Sequence, residues 1–319
     1  MFGFIEINGW HWAAFIACVL FFLTLDLGAF HRRPRAVKFK EAAAWSALWV
    51  ALAMLFAGAL AHWRTREEAV QFTTGYLIEL SLSLDNVLVI ALIFTWFRVP
   101  LEFQHRLLFW GILGALVMRG AMIGAGAALI HQFDWVLYVF GALVIFTGAK
   151  MFFSRQEMVE PDKNLALRLA KKLFPISPNL DGGKFLTRLD GRFALTPLAL
   201  VLLLVETTDL IFAVDSVPAV FSVTRNAFIV FTSNVFAILG LRSMYFLLAG
   251  ALGYFRYLKI GLSVVLVFIG VKMLLVPHDH SPKWFQVDIP TTVSLLIVAV
   301  ILLIAIVLSI TAARPEKRK

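Results

Sequence analysis

Residues 70–97 read VQFTTGYLIELSLSLDNVLVIALIFTWF, a mainly apolar run that carries two acids, Glu79 and Asp85. A helix that crosses the hydrocarbon core of a bilayer needs about 20 mainly apolar residues. This run is longer than that, and its apolar residues do not alternate with polar ones as they would in a strand of a membrane barrel. We therefore predict a membrane-spanning helix that holds two carboxylates within the bilayer.

The whole chain shares the composition of this run. Of its 319 residues, 61% are hydrophobic and 15% are charged, whereas soluble domains hold about 45–50% apolar and about 25% charged residues. A soluble enzyme and a disordered chain are therefore excluded. The net charge of +9 predicts no nucleic-acid partner, because the basic residues lie in short stretches between apolar runs. The single cysteine, Cys18, excludes an internal disulfide.

Nine such runs predict an all-α, polytopic membrane protein with about nine transmembrane helices in the lipid bilayer. The predicted spans are 12–30, 42–63, 70–97, 106–130, 133–153, 195–222, 227–252, 257–276 and 289–312. Strands are not expected in runs so long and so continuously apolar. Between the fifth and sixth spans lies the basic segment 154–194, which we interpret as a linker with a short amphipathic helix over 163–173 at the inner surface.

The basic residues predict how the chain crosses the membrane. Most of the 29 Lys and Arg residues lie in alternate loops, at 31–41, 98–106, 154–194, 253–259 and in the C-terminal tail. The intervening loops hold only Arg64, Arg66, Arg225 and Lys283. Because Lys and Arg concentrate in cytoplasmic loops, we expect a multi-pass protein of the inner (plasma) membrane with its N-terminus outside and its C-terminus in the cytoplasm.

The two halves of the chain repeat each other. The acids recur at one spacing, as Glu79-x5-Asp85-Asn86-Val87 in the third span and Asp209-x5-Asp215-Ser216-Val217 in the sixth. Each next span carries an arginine, Arg119 or Arg242. The spans after those end in Phe146-x-Gly148-x-Lys150-Met151 and Phe268-x-Gly270-x-Lys272-Met273. Each repeat therefore comprises three helices with the same order of motifs.

Three crossings are an odd number, so the second repeat enters the membrane from the opposite side. Such inverted repeats are common in secondary transporters. We divide the chain into an N-terminal two-helix segment (1–69), repeat 1 (70–153), the basic linker (154–194), repeat 2 (195–276), and a C-terminal helix with its basic tail (277–319).

Five acids lie within the third and sixth spans, namely Glu79, Asp85, Glu206, Asp209 and Asp215. An ionised side chain at the centre of a membrane helix costs roughly 2.5–3.5 kcal/mol, so these acids must be paired, protonated or bound to a cation. Arg119 and Arg242 supply two positive charges. A divalent cation, or protons, would neutralise most of the negative charge that remains.

The available ligands are hard oxygen donors, which suit Mg, Ca or Mn ions. The predicted metal ligands are Glu79, Asp85, Asn86, Glu206, Asp209, Asp215 and Ser216, supported by Arg119, Arg242, Asn234 and Asp26. For the supporting groups, alternatives remain open: the arginines could be structural counter-ions only, Asn234 could bond another helix, and Asp26 could face the inner interface. Pro218 and the Asp85-Asn86 pair predict that both acid-bearing helices are loosened near their second acid.

These stretches closely resemble the signatures of the TerC family. They are Glu79-Leu-Ser-Leu-Ser-Leu-Asp85-Asn86-Val87, Val205-Glu206-Thr-Thr-Asp209-Leu-Ile-Phe-Ala-Val-Asp215-Ser216-Val217-Pro218-Ala219, and residues 232–246 around Asn234 and Arg242. Nine helices resemble its Alx branch. The resemblance implies a membrane protein tied to tellurium resistance, manganese export for that branch, and kinship with LysE-type exporters. It also implies that the five acids of the third and sixth spans are the functional ones.

The predicted function is secondary transport: export of a divalent metal ion, above all Mn²⁺, in exchange for protons. ATP drive is not expected, because the chain has no Walker A sequence. An enzyme is not expected either: an intramembrane hydrolase with two aspartates would need Tyr-Asp and Gly-x-Gly-Asp motifs, a metalloprotease would need His-Glu-x-x-His, and none of these occurs. No organic cofactor is expected. The alternative is a non-transporting membrane partner of a tellurium- or metal-stress complex, which would bind other proteins through 154–194. The oligomeric state stays open.

Overall fold

The computed structural model describes residues 7–30, 39–153, 164–189, 191–248, 256–277, 286–287 and 289–312. Its elements are α1 (Gly9–Phe30), α2 (Phe39–Trp63), α3 (Arg66–Trp96), α4 (Leu101–Gln132), α5 (Val136–Phe153), α6 (Leu165–Leu173), β1 (Leu186–Leu189), β2 (Arg192–Leu195), α7 (Pro197–Phe221), α8 (Ala227–Leu248), α9 (Arg256–Leu275) and α10 (Thr291–Ala312). The predicted all-α, polytopic fold is confirmed.

Eight of these helices are long and apolar enough to cross a membrane, namely α2–α5 and α7–α10 within the described residues. The ninth predicted span is α1, a helix of 22 residues. The apolar part of α1 whose side chains are described, Gly9–Thr24, is shorter than the other eight.

Threonine side chains cap the N-termini of both acid-bearing helices. The side chain of Thr65 accepts a hydrogen bond from the backbone N–H of Glu68 at the start of α3 (3.0 Å). Thr196 accepts from Ala199 at the start of α7 (3.3 Å), and Pro197 occupies the first helical position. Threonine caps satisfy N–H groups that a helix leaves unpaired, and proline has no N–H to satisfy there. Both repeats therefore fix where their first helix begins.

The close contact between α5 and α9 shows that the repeats are inverted. A methyl group added to Gly148 would lie 3.0 Å from the backbone oxygen of Ser263. One added to Gly270, the equivalent of Gly148, would lie 2.7 Å from the backbone oxygen of Gly141. Moving toward the C-terminus along α5 moves the contact toward the N-terminus along α9, so the helices are antiparallel. Exchanging the repeats converts one contact into the other, as a two-fold axis between them requires.

Two further helix pairs obey the same exchange. Helix α3 packs along α8, and α4 packs along α7. If α3 is exchanged with α7 and α4 with α8, these two pairs become each other. Helices α1 and α2 pack on α8, while α10 packs on α9 and α3. The predicted inverted three-helix repeats are therefore confirmed, and they form the centre of the molecule.

The described part of segment 154–194 has more structure than a linker. The predicted amphipathic helix is confirmed as α6, capped by the side chain of Asn164, which accepts from the backbone N–H of Leu167 (3.0 Å). Strands β1 and β2 form an antiparallel hairpin that the sequence did not predict. Thr196 ties this hairpin to α7, because its hydroxyl donates to the carbonyl of Lys184 (2.7 Å).

The predicted loosening of the acid-bearing helices is wrong. Helix α3 is continuous through Asp85 and Asn86, and α7 is continuous through Pro218. A proline removes one backbone hydrogen bond to the residue four positions earlier. Because Pro218 lies within one turn of the C-terminal end of α7, few helical bonds depend on it, and the helix tolerates it.

Paired cysteines test the inversion of the repeats in a background without the native thiol, Cys18→Ser. We expect disulfides from Gly148→Cys with Ser263→Cys and from Gly141→Cys with Gly270→Cys, because the two helix backbones nearly touch at both pairs and a small shift of the helices admits each new Cβ atom. The matched controls combine Gly148→Cys with Gly270→Cys, and Gly141→Cys with Ser263→Cys. In an antiparallel pair those partners are about 10 Å apart along the axis, beyond the reach of a disulfide. If the control pairs cross-linked on a non-reducing gel and the first two pairs did not, α5 and α9 would be parallel.

Candidate functional site

The centre of the site is a buried ion pair network around Arg119, in the middle of α4. Its side chain is 1% exposed. One guanidinium nitrogen, Nη1, donates to Oε1 of Glu79 on α3. Nη2 lies 3.0 Å from Oδ1 of Asp209 on α7, and Nε lies 3.3 Å from its Oδ2. A single guanidinium therefore joins the first acid of repeat 1 to the first acid of repeat 2.

Three uncharged polar side chains complete this network. Nη1 of Arg119 also donates to Oγ of Ser216 (3.2 Å) and to Oδ1 of Asn234 (3.1 Å). With its amide oxygen turned toward Arg119, Asn86 accepts from Nη2 (3.3 Å), and its amide nitrogen then donates to the carbonyl of Leu82 (3.1 Å). Five predicted site residues thus surround Arg119. We call these six residues the arginine network (Glu79, Asn86, Arg119, Asp209, Ser216 and Asn234).

The arginine network is symmetric apart from Arg119 and Asn234. Glu79 and Asp209 are equivalent in the two repeats, and so are Asn86 and Ser216. Arg119 therefore contacts both members of each equivalent pair. The contact places its guanidinium where the two repeats meet.

The charges of the arginine network do not balance when both acids are ionised. Two carboxylates face one guanidinium, and Glu79 is fully buried. Its second oxygen, Oε2, is also buried and has no hydrogen-bond partner among the described residues. A buried carboxylate oxygen without a partner is costly. It suits a proton or a cation, because either would supply the missing positive charge.

Glu206 lies one helical turn before Asp209, on the face of α7 that meets α4. It is half-buried, and its carboxylate lies directly against Gly114, where a Cβ atom would overlap it. Its equivalent in repeat 1 is Tyr76, so this acid breaks the symmetry. Sequence reasoning missed Gly114, whose equivalent is Ala237; a glycine at only one of two equivalent helix positions was the available signal.

The second acid of each repeat lies outside the arginine network. Asp215 accepts a hydrogen bond from the hydroxyl of Thr147 on α5 (2.7 Å). Asp85 lines a cavity of about 10 Å³, beside Ser81 and Lys259 of α9. Such a volume has room for about one water molecule. Sequence reasoning also missed Thr147, although it is a polar residue within the Phe-x-Gly-x-Lys-Met motif whose equivalent, Ile269, is apolar.

The five predicted acids therefore do not converge on one point. Within the described residues, no three His, Cys, Asp or Glu side chains form a group that could hold a metal ion. Arg119 lies between Glu79 and Asp209, while Asp85 and Asp215 face other helices. Of the supporting groups, Asn234 bonds Arg119, and Arg242 is buried in α8. Asp26 lies in α1, but its side chain is outside the described residues.

The described helices, their inverted repeats and the arginine network define a polytopic membrane protein with buried charges between two repeats. The family described as "Integral membrane protein TerC family" matches residues 64–317. The chain belongs to this family.

Three relatives illustrate the similarity. An uncharacterized membrane protein of Myxococcus xanthus is 52% identical over 304 residues, which cover 95% of this chain and 92% of the relative. The Alx protein of Escherichia coli (strain K12), whose name proposes a membrane-bound redox modulator, is 47% identical over 85% of this chain and 87% of its own. An uncharacterized membrane protein of Rickettsia felis is 38% identical over 300 residues, which cover 94% of this chain and 97% of the relative. No solved structure matches the chain.

The contact between Gly114 and Glu206 predicts a coupling between the two positions. Gly114→Ala should destabilise the protein by up to about 1 kcal/mol, the low end of the cost of overpacking, because the new methyl group meets only the flexible carboxylate end of Glu206 and must displace it. Shortening the acid in the same chain, by Glu206→Ala, should recover most of that loss. The matched control on the same helix is Gly124→Ala, which has open space around it. Thermal unfolding in detergent measures all four variants, and additive effects of Gly114→Ala and Glu206→Ala would contradict the contact.

Proposed function

We propose that this chain is a secondary transporter that exports a hard divalent cation, Mn²⁺, across the cytoplasmic membrane in exchange for protons. One observation carries the proposal: the first acids of two inverted repeats lie together on one guanidinium where the repeats meet, with Glu79 fully buried and the Asp209 side chain 13% exposed. Inverted-repeat transporters bind their substrate and coupling ion at such an interface, near the middle of the bilayer.

The chemistry of the donors favours a hard cation. Carboxylates of Glu79 and Asp209, the amide of Asn86 and the hydroxyl of Ser216 all lie within reach of one guanidinium. Oxygen ligands of this kind suit Mg, Ca and Mn ions, whereas Zn and Cu prefer His and Cys. Mn²⁺ is proposed among the hard ions because the TerC resemblance implies manganese export.

The second acids suggest a path through the membrane. Helix α3 is proposed to run from outside to inside, so Asp85 lies on the cytoplasmic side of Glu79. Helix α7 runs the other way, so Asp215 lies on the outer side of Asp209. Six residues of helix span about 9 Å. A cation moving outward would therefore meet Asp85, then the central pair, then Asp215, with steps of similar length.

Protons are the natural counter-ions in this scheme. A metal ion binds ionised carboxylates, so its arrival releases the protons that the empty acids hold. When the ion leaves on the outer side, the negative charge of the carboxylates must be neutralised again, because ionised acids are costly within a bilayer. Protons taken up outside and released inside would complete the exchange.

The name of the Alx relative raises a redox role, which here would have to use chemistry other than a dithiol. Cys18 is the one cysteine of the chain, so the chain cannot form or break a disulfide within itself. The alternative of a non-transporting membrane partner predicts no ion movement at all. Direct flux measurement separates both alternatives from transport.

Proteoliposomes with an internal metal indicator and an internal pH probe test the proposal. We expect Mn²⁺ entry with opposite proton movement, and weaker movement of Zn²⁺ than of Mn²⁺. Asp85→Asn and Asp215→Asn keep the shape of each side chain but remove its charge. Each should lower the flux at least about tenfold, the loss that even outer-shell changes cause at metal sites.

The matched control for these variants is Asp134→Asn. Asp134 is exposed and pairs with Arg225 (3.0 Å), away from the arginine network, so its loss should leave the flux unchanged. Wild-type Mn²⁺ flux in either Asp85→Asn or Asp215→Asn would remove that residue from the path. If the wild-type protein were correctly inserted and moved no metal, the alternative of a non-transporting membrane partner would be favoured.

A further inference from the structure

We propose that α6 and the β1–β2 hairpin form a binding surface for anionic phospholipids, in the leaflet beside the start of α7. Basic side chains of this surface bind the phosphate headgroups, while exposed leucines contact the acyl chains. The inference does not depend on the transport of any ion. It assigns a partner to the segment that lies between the two repeats.

The described part of this segment is strongly basic. Residues 164–189 and 191–196 hold six basic side chains and one acid, Asp181. All six basic residues are exposed, and they are Arg168, Lys171, Lys172, Lys184, Arg188 and Arg192. Basic residues that cluster beside a membrane-spanning helix are attracted to the anionic lipids of the adjoining leaflet. The charge of the surface is therefore complementary to that of anionic headgroups.

Helix α6 separates apolar from basic side chains around its axis. Leu165, Leu169 and Leu173 are four residues apart, so they form one row along the helix, and each is at least 50% exposed. Arg168 and Lys172 are also four residues apart, and they form a neighbouring exposed row. An exposed apolar row beside a basic row is typical of a helix at the boundary between acyl chains and headgroups.

Contacts with α7 hold α6 against the membrane-spanning helices. Leu167 is 1% exposed and belongs to a buried cluster with residues of α7. The amide nitrogen of Asn164 donates to the hydroxyl of Thr207 on α7 (2.9 Å). After α6, the backbone N–H of Leu195 donates to the carbonyl of Pro175 (2.9 Å), just before α7 begins. Helix α6 therefore lies beside the first three turns of α7 and does not extend away from the bundle.

The hairpin packs on α4 at the same end of the bundle. The ring of Phe185, next to β1, lies edge-on to Trp110 with 6.4 Å between the ring centroids. The guanidinium of Arg106 lies 5.0 Å from the centroid of the Phe185 ring. Helix α4 has 32 residues, so it is about 48 Å long, whereas the hydrocarbon core is about 30 Å thick. Its ends therefore extend beyond the core, and the hairpin packs on one of them.

The turn end of the hairpin carries the same mixture of side chains as α6. Arg188 pairs with Phe193 across the two strands, and Leu189 pairs with Arg192. All four are exposed, and the guanidinium of Arg188 lies 5.4 Å from the centroid of the Phe193 ring. Arginine binds phosphate with two parallel hydrogen bonds, and the apolar neighbours suit contact with lipid. The hairpin therefore extends the surface that α6 begins.

The position of the leucine row favours a bilayer over a soluble protein as the partner. Leu210, Ile211 and Val214 follow Thr207 by three, four and seven residues, so they lie on the same face of α7 as the contact with α6. All three are exposed, as expected of side chains that face lipid on a membrane-spanning helix. The apolar surface of α6 continues this face, so a soluble protein would have to displace lipid to cover it.

Lipid quenching at a single cysteine tests the proposal in the intact chain. Leu169→Cys is introduced in the Cys18→Ser background, labelled with bimane, and reconstituted into phosphatidylcholine bilayers with a minor share of phosphatidylglycerol. A quenching doxyl group is attached to the acyl chain of either lipid. We expect quenching by both, and several-fold more per molecule of doxyl-phosphatidylglycerol, because one basic residue near a surface strengthens the attraction of anionic lipid about fivefold.

Two variants that each remove two positive charges identify the source of this preference. Arg168→Gln with Lys172→Gln should abolish most of it, as should high salt, which screens exposed charges. Arg66→Gln with Arg225→Gln removes two exposed arginines outside the segment and should leave the preference unchanged. A label at Leu303→Cys, 61% exposed on α10, should be quenched without preference, because α10 carries no basic residue.

A label at Leu189→Cys tests the hairpin in the same way, with Arg188→Gln and Arg192→Gln as its variant. Absence of quenching at Leu169→Cys would overturn the proposal and leave the surface to a soluble partner. Equal quenching by the two lipids, or a preference that survives the loss of Arg168 and Lys172, would also overturn it. A preference at Leu169→Cys alone would remove the hairpin from the surface. These measurements involve no metal, so their outcome is separate from that of the flux experiment.

Discussion

A carboxylate inside a bilayer must be neutralised, and the structure depends on how this chain meets that constraint. Glu79 is fully buried, and its partner Arg119 is nearly so. Because one guanidinium also holds Asp209, the acids of both repeats are drawn to the same place. The helices that carry these three groups, α3, α4 and α7, must pack around that place. The close contact of α5 with α9 then fixes the two repeats as antiparallel copies.

The number of membrane-spanning helices and their arrangement in two repeats follow from the sequence, because the length of an apolar run and the recurrence of a motif can be found along the chain without knowing which helices are neighbours. The acid spacing, the arginine of the next span and the Phe-x-Gly-x-Lys-Met motif of the span after it all occur twice in the same order, and three crossings per copy predict that the two repeats are inverted. The amphipathic helix α6 is predicted from the basic and apolar residues of 163–173. The hairpin β1–β2 was not, because its two strands have four residues each and lie in a basic segment without a clear alternation.

The arrangement of the site was harder to predict, because it depends on which helices are neighbours. Sequence reasoning placed five acids in one group, but six residues along a helix turn a side chain to another face, so Asp85 and Asp215 meet other helices. The spacing of the motifs also cannot show that a single arginine pairs with both Glu79 and Asp209, since Arg119 and Arg242 are equivalent in the sequence. Gly114 and Thr147 each break the repeat in the sequence, but what they contact depends on the packing of α4 against α7 and of α5 against α7. The metal-binding role of the predicted ligands stays a prediction.

The central claim is that the first acids of the two repeats, Glu79 and Asp209, form one site for which a divalent cation and protons compete. Calorimetry of Mn²⁺ binding to the purified protein, in buffers of different ionisation heat at one pH, tests this most directly. The account predicts that the observed heat changes in proportion to the ionisation heat of the buffer, because each bound ion releases protons, and that affinity rises as the pH is raised. A heat of binding that is the same in every buffer would mean that no net proton is released, and it would contradict the account.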